Sequence, residues 1–594
     1  VRANLNRSIN IKGDIMNSSP SWLVALAVAA VVATSQASAA EKADLILYNG
    51  KVLTVDKSFS IKSAIVVKDG KILAVGGDDL ANTYTAPKKV DLKGRTVVPG
   101  FMDTHVHPQA LSHRDIDVTK AKSIVEIQQQ LRAKAKELGL NEWITGSGWD
   151  EALLTEKRNI TSKDLDVATP NNPVTLTRAG GHSSVGNSLA LKAAGITRTT
   201  EDPKSGLIEH YADGEPNGII RERSDLYRKL VPRDTWAQMK PGYEKKLNHF
   251  LSLGLTSIES ATGSIDDEPV GQGGIADPGA NLTFRRFQEM AAEIDIPRIT
   301  MYTSYPGAER LKQYAHHSGY GDIKVRLGPI GENAVDGGFT GPTAWTLADY
   351  KGQPGFRGKG RYTDAELQDM VDTAASLGWQ MGLHCIGDAA IQQTIVAYDK
   401  GLAKYPGTDH KGEQRRWFTD HFTIMPPDAT MATMAKDKIM IAAQPNFGWN
   451  LEGRYNETMD DWRVLHNNSV KTPAKKFGLL VTFGSDNLPI DPRIGLYFAI
   501  ARRGPDGVQH GFAEEAVSRE DAIRMYTANG PYLSWEENVK GTLEPGKLAD
   551  FVVIDRDPLT VPEKELLTMN FDQTYLGGKL VYERKPGETT TSIR

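Results

Sequence analysis

The stretch VVPGFMDTHVHP, residues 97–108, decides the reading of this chain. Its apolar start reads as a strand buried on both faces, and it ends in two histidines spaced i and i+2. The two-residue period of a strand points His105 and His107 to the same side, where two imidazoles can share one metal ion. Polar, reactive side chains at the C-terminal end of an apolar strand are the arrangement of a parallel α/β domain.

Working outward, seven further runs have the same character: LTSIES (255–260), RITMYTS (298–304), IKVRLGPIGE (323–332), WQMGLHCI (379–386), WFTDHFT (417–423), KIMIAAQPNF (438–447) and LLVTFGSDN (479–487). Amphipathic stretches fit the gaps, among them DAELQDMVDTAASLG from Asp364 and DAAIQQTIVAYDKGLAKY from Asp388. Eight strands alternating with helices close a (β/α)8 barrel of the TIM type. The segment from about 111 to 230 is too long for a plain connection and carries its own helical pattern near Ile124 to Leu138, so it reads as an inserted subdomain.

The two ends have a different texture. LILYNGKVLTVD, AIVVKDGKILAVG and KVDLKGRTVVPG alternate apolar and polar residues, and Asn49-Gly50 and Asp69-Gly70 are hairpin signals. The texture returns in GTLEPGKLADFVVID and TYLGGKLVYER. The expected fold class is therefore α/β: a barrel over 101–538, a composite small β-sandwich domain from 41–100 plus 539–594, and a leader over 1–40.

Composition narrows the function. The 594 residues carry a net charge of -4, so the surface offers no cationic footprint for nucleic acid or anionic membrane, and the expected partner is a small molecule. A homo-oligomer is left open. A single cysteine, Cys385, excludes an intramolecular disulfide framework and any multi-thiolate site, so a metal must be held by histidines and carboxylates. The apolar run Trp22 to Ala33 is too short to span a bilayer and is followed by Ala37-Ser38-Ala39, which suits a signal peptidase. The expected location is periplasmic or secreted, whether translation starts at Val1 or at Met16.

The reactive residues recur at strand ends. His384 ends the fifth run, His421 the sixth and Asp486 the eighth. Packing does not account for four histidines and an aspartate at such positions. Metal chemistry does: neutral imidazoles bind a divalent ion, the ion acidifies a water, and a nearby carboxylate removes its proton. Asp486 is the candidate base, and a second role as a metal ligand is compatible with that.

FMDTHVHP, GLHCIGDAA, FTDHFTI, TFGSDNLPIDP, YTANGPYL and GTLEPGKLADFVVID together resemble the amidohydrolase superfamily, in its amidohydrolase-3 branch of N-substituted formamide deformylase-like and exoenzyme-regulatory-protein-like members. The resemblance covers nearly all of the chain after the leader. It implies a metal-bearing barrel with a composite β-sandwich and hydrolysis of carbon–nitrogen bonds. It also implies that His105, His107, His384 and His421 ligate metal and that Asp486 serves as acid and base. Many members carry a carboxylated lysine on the fourth strand, about four residues before an Asp-Gly pair. Here Glu332 stands there, in PIGENAVDGG. Lys324 lies eight residues back, about 26 Å toward the other end of the strand, so Glu332 is the expected ligand, with one or two metals left open.

Weaker candidates lie around this set. His182, in TRAGGHSSVGNSLAL, is placed to face substrate or to begin a helix, and Asp388 to cap its helix or orient a ligand. Cys385 points away from the centre as a buried thiol. Phe339, Trp345, Phe447, Trp449 and Tyr455, with Arg454 among them, either line an aromatic pocket or pack locally. The expectation is a metal-dependent hydrolase, zinc first, that cleaves an amide, formamide or cyclic amide with metal-activated water. A regulatory binding protein on the same barrel and a heterocycle deaminase are the alternatives.

Overall fold

The computed structural model describes residues 41–592 except 109–111, 180, 182, 204–205, 233, 266–281, 340–341, 407–414 and 460–461. The leader and His182 lie outside the described residues. Eight strands form one parallel sheet in sequential order: β1 Phe101–Val106, β2 Leu255–Ser260, β3 Arg298–Thr303, β4 Val325–Ala334, β5 Met381–Cys385, β6 Phe418–His421, β7 Met440–Ala443 and β8 Val481–Phe483. Seven fall within one of the eight apolar runs, and β4 runs two residues past the end of its own. The strands are buried nearly end to end because helices cover them outside and side chains fill the interior. The expected helices are present as Ile124–Leu138, Asp364–Ser376 and Asp388–Lys404.

The barrel closes where β8 runs into β1. Thr104 and Thr482 share a hydroxyl–hydroxyl bond of 2.8 Å, and the His105 carbonyl accepts from the backbone N–H groups of Ser485 (3.2 Å) and Asp486 (2.7 Å). Gly484 makes this approach possible, since a Cβ there would lie 2.6 Å from the His105 nitrogen.

The opening stretch serves two domains. Thr96–Pro99 pairs with Phe551–Ile554 in a six-stranded sheet, and the chain enters β1 after Gly100, where a Cβ would lie 2.0 Å from Thr256 Oγ1. A four-stranded sheet packs against the six-stranded one through Leu45, Leu47, Val67, Val97, Phe551 and Val553, so strands from both ends build the sandwich. Asp69-Gly70 turns a hairpin between Ala64–Lys68 and Lys71–Gly76. Asn49-Gly50 does not: Leu45–Tyr48 and Lys51–Leu53 belong to different sheets, and the left-handed Asn49 carries the chain from one to the other. A second six-stranded sheet, between Asp115 and Arg221, follows β1, with its own core of Ile127, Leu131, Ile144, Trp149, Leu176 and Val185.

A buried ion pair fastens barrel to sandwich. Arg298, at the start of β3, donates to Asp550 through Nε (2.6 Å) and Nη2 (2.9 Å), and Asp550 also accepts from the backbone of Gly577 (2.7 Å). Asp550→Ala leaves the guanidinium buried without its partner, and the expected destabilisation is about 3–5 kcal/mol. Thermal and urea unfolding of the full chain check this, with Asp550→Asn, which keeps an acceptor for Gly577, expected to lose less.

Candidate metal centre

Five of the strands, β1, β4, β5, β6 and β8, deliver six side chains to the open, C-terminal end of the barrel, His105 and His107 both coming from the end of β1, and several do so through irregular backbone. The pairing of β1 with β2 slips between Asp103 and Val106, and that of β4 with β5 slips between Gly331 and Ala334. Glu332 sits in the second bulge with φ +56°, His421 ends β6 with φ +70°, and Asp486 follows β8 with φ +54°. Left-handed backbone at non-glycine residues costs about 1–3 kcal/mol each and persists where the surroundings hold it. Bulges beside a site re-aim side chains, and here they aim carboxylates and an imidazole at one point.

That point is the Glu332 carboxylate. One oxygen lies 3.8 Å from His107 Nε2 and 3.4 Å from His384 Nδ1; the other lies 3.8 Å from His105 Nε2 and 3.7 Å from His421 Nε2. Asp486 stands at the rim, 3.2 Å from His107 Nε2, and is the most exposed of the six side chains. Lys324 is remote, its ammonium donating to the Ala291 carbonyl at the opposite end of β4.

The donor set fits a divalent cation. Donor atoms of His105, His107 and Asp486 lie within 4.8 Å of one another, as do those of His105, Glu332 and His421. Ligands at roughly 2.0–2.2 Å from one ion stand at about this spacing from each other. His105 Nε2 and Glu332 Oε2, 3.8 Å apart, are buried without a hydrogen-bond partner, a cost that a cation between them removes.

Charge is distributed unevenly among the group. Burial pushes the Glu332 carboxyl up, but the imidazoles of His105 and His384 outweigh it and hold the group well below the usual range. Burial lowers His105 to about 4, leaving it neutral. His384 is also lowered by burial, with the neighbouring His421 adding to the effect. Burial opposes charge on His421 too, but Glu332 overcomes it and raises that imidazole to about 9. Asp486 is held below its ordinary value because His107, with His105 and His421, outweighs burial, so it rests ionised.

Behind these residues lies a set that the sequence reading missed. Asp420 Oδ1 is 3.0 Å from His105 Nδ1 and 3.2 Å from the Tyr302 hydroxyl. The Gln444 carbonyl oxygen is 2.8 Å from His421 Nδ1. Asp336 accepts backbone N–H groups from Ile386, Gly387 and Trp345, tying the loop after β4 to the end of β5. Asp103 accepts from the backbones of His105 and Ser485 across the barrel seam. Strand alternation hides Asp420, because it predicts that residues 420 and 421 face opposite ways; the left-handed His421 breaks that rule.

The weaker candidates separate. Cys385 is a buried thiol beside Thr394. Asp388 is the first residue of its helix and not the cap; its carboxylate accepts from the Leu347 backbone in the loop after β4. Phe339, Phe447 and Tyr455 pack into one buried cluster with Tyr350 and Leu451, and the Phe447 ring stacks on His421 at 5.6 Å. A cavity of about 330 Å³ lies instead between the inserted sheet and the barrel-mouth loops. Its walls include Trp149, Arg178, Arg221, Thr343 and Arg454, with Arg178 paired to Glu151 and Arg221 to Glu209.

Known proteins resemble this chain along most of its length. The chain is 26% identical over 565 residues to the putative amidohydrolase YtcJ of Bacillus subtilis, covering 91% of this chain and 99% of that protein. It is 26% identical over 561 residues to the N-substituted formamide deformylase of Arthrobacter pascens, covering 91% and 98%. A solved metal-dependent hydrolase from Pyrococcus horikoshii shares the fold with a TM-score of 0.69 at 24% identity, covering 88% of this chain and 99% of the other. The profile of the amidohydrolase family matches residues 88–582, and the chain belongs to that family.

Proposed function

We propose that this hydrolase cleaves the carbon–nitrogen bond of an amide, formamide or cyclic amide, with His105, His107, Glu332, His384 and His421 holding one or two divalent ions, zinc first. One observation carries the reading: four imidazoles and a half-buried glutamate converge on a point beside a separately held, ionised Asp486. The likeness to a formamide deformylase along nearly all of both chains supports the bond type. A bound divalent ion supplies Lewis-acid polarisation of a carbonyl and acidification of water.

The chain's own part is proton handling and orientation. Asp486 accepts a proton at its carboxylate from the attacking water and returns it to the departing nitrogen, so that amide and water become acid and amine. Its position at the rim lets it reach both groups, while the 3.2 Å approach to His107 keeps it ionised between turnovers. The polar cavity beneath the inserted sheet is suited to hold the remote end of a small substrate. We further propose export of the chain, on the apolar run Trp22 to Ala33 and Ala37-Ser38-Ala39. Among the described residues no helix is long and apolar enough to cross a membrane.

Two measurements test the reading. Metal content per chain, determined by plasma mass spectrometry on protein purified without chelators or nickel, is expected near one or two equivalents in the wild type and near zero in a His105→Ala/His107→Ala variant. Wild-type protein that neither carries nor takes up metal overturns the assignment. Asp486→Asn is expected to lower kcat on formamides and amides by about 10²- to 10⁴-fold while metal content and melting temperature stay near wild type. Undiminished turnover removes Asp486 from its role, and release of ammonia from a heterocycle in place of acid and amine moves the enzyme to deamination.

A further inference from the structure

Gln444 lies one residue beyond β7, is 1% exposed, and belongs to none of the motifs that mark the centre. Its surroundings fix which end of its amide is which. The Nε2 amide donates to the Ala442 carbonyl at 3.0 Å, and the Oε1 oxygen faces His421 Nδ1 at 2.8 Å. The reverse orientation would oppose two carbonyl oxygens. A carbonyl oxygen only accepts, so the proton of this bond sits on His421 Nδ1. Once the ring gives up its other proton, as a metal ligand must, its lone pair is on Nε2, the nitrogen that faces Glu332 at 3.7 Å and His384 Nδ1 at 2.8 Å. Phe447, stacked on the ring with an interplanar angle of 19°, limits its rotation.

We propose that Gln444 is a positioning residue that fixes the tautomer and ring plane of His421 and thereby sets the metal affinity of the centre. This inference rests on the metal-hydrolase reading above. Without the Gln444 acceptor, the competing tautomer places its proton on Nε2, where the Glu332 carboxylate stabilises it and the metal loses that lone pair. A partner on the far nitrogen of a ligating histidine typically changes metal affinity by about 10- to 100-fold.

The test uses the metal-stripped full chain, titrated with zinc(II) against a competing chelator and separately with cobalt(II) followed by its visible absorption. Gln444→Met removes the acceptor at similar length. It is expected to raise the zinc dissociation constant by about 10- to 100-fold and to shift the cobalt spectrum, while the melting temperature of the metal-free protein stays unchanged. Gln444→Glu, whose neutral carboxyl can make both bonds, is expected to recover most of the affinity. Gln444→Leu removes the acceptor with a different shape and gives the same expectation as Gln444→Met should that variant not fold. Equal zinc affinity and an unchanged cobalt spectrum without the acceptor overturn the inference. So does a loss of affinity matched by a fall in metal-free melting temperature that Gln444→Glu does not repair, because that is the behaviour of a packing residue. Wild-type protein that binds neither ion overturns the metal reading itself, and the inference falls with it.

Discussion

A carboxylate buried among four imidazoles is the constraint on which the rest of this structure depends. Glu332 lies within 3.4–3.8 Å of His105, His107, His384 and His421, in a region where an uncompensated anion costs several kcal/mol. The imidazoles offset part of that cost, holding the Glu332 carboxyl well below its ordinary range, and His107 beside Asp486 holds that carboxyl low as well. No local segment could hold these six side chains together. A closed barrel can, since it converts distant positions along the chain into one ring of strand ends.

This division between frame and centre explains what was legible in the sequence. The barrel strands could be read because seven of the eight are buried along their whole length and β4 over most of it, which favours apolar residues. The helices 124–138, 364–376 and 388–404 could be read because an apolar stripe at helical spacing is equally local. His105, His107, His384, His421 and Asp486 were visible as reactive residues at strand ends, and Glu332 through a family pattern. Asp420 and Gln444 were not, because their roles depend on a left-handed residue beside one and on a carbonyl two residues before the other. Asn49-Gly50 misled for a related reason: the dipeptide reports a local turn, but whether the flanking strands pair is decided by the sheets that receive them.

The loops obey a different rule from the frame. Their aromatic residues form a pocket-shaped pattern in sequence, yet Phe339, Phe447 and Tyr455 pack on each other and on Tyr350. The packing has a use, since Phe447 lies flat against His421. Asp336 and Asp388 bind the backbone of the loop after β4, so that this loop is held to the start of the helix that follows β5. The wall that faces open space is left to paired charges from the inserted sheet. The proposed metal ligands and base thus belong to the barrel, while the cavity wall belongs to the inserted sheet and the mouth loops, segments a barrel of this kind can vary independently.

The barrel seam joins these parts mechanically. The His105 carbonyl accepts from both Ser485 and Asp486, while the imidazole of the same His105 lies beside Glu332. Asp103 adds a second clasp by accepting from His105 and Ser485, and Gly484 gives the two strands room to meet. The position of the proposed base relative to the proposed ligands is therefore set by the closure of the barrel and not by the loop that carries Asp486. A shift of β8 against β1 would move Asp486 away from His107. Loop variation can change what enters the site, but the spacing of base and ligands changes only if the barrel itself opens.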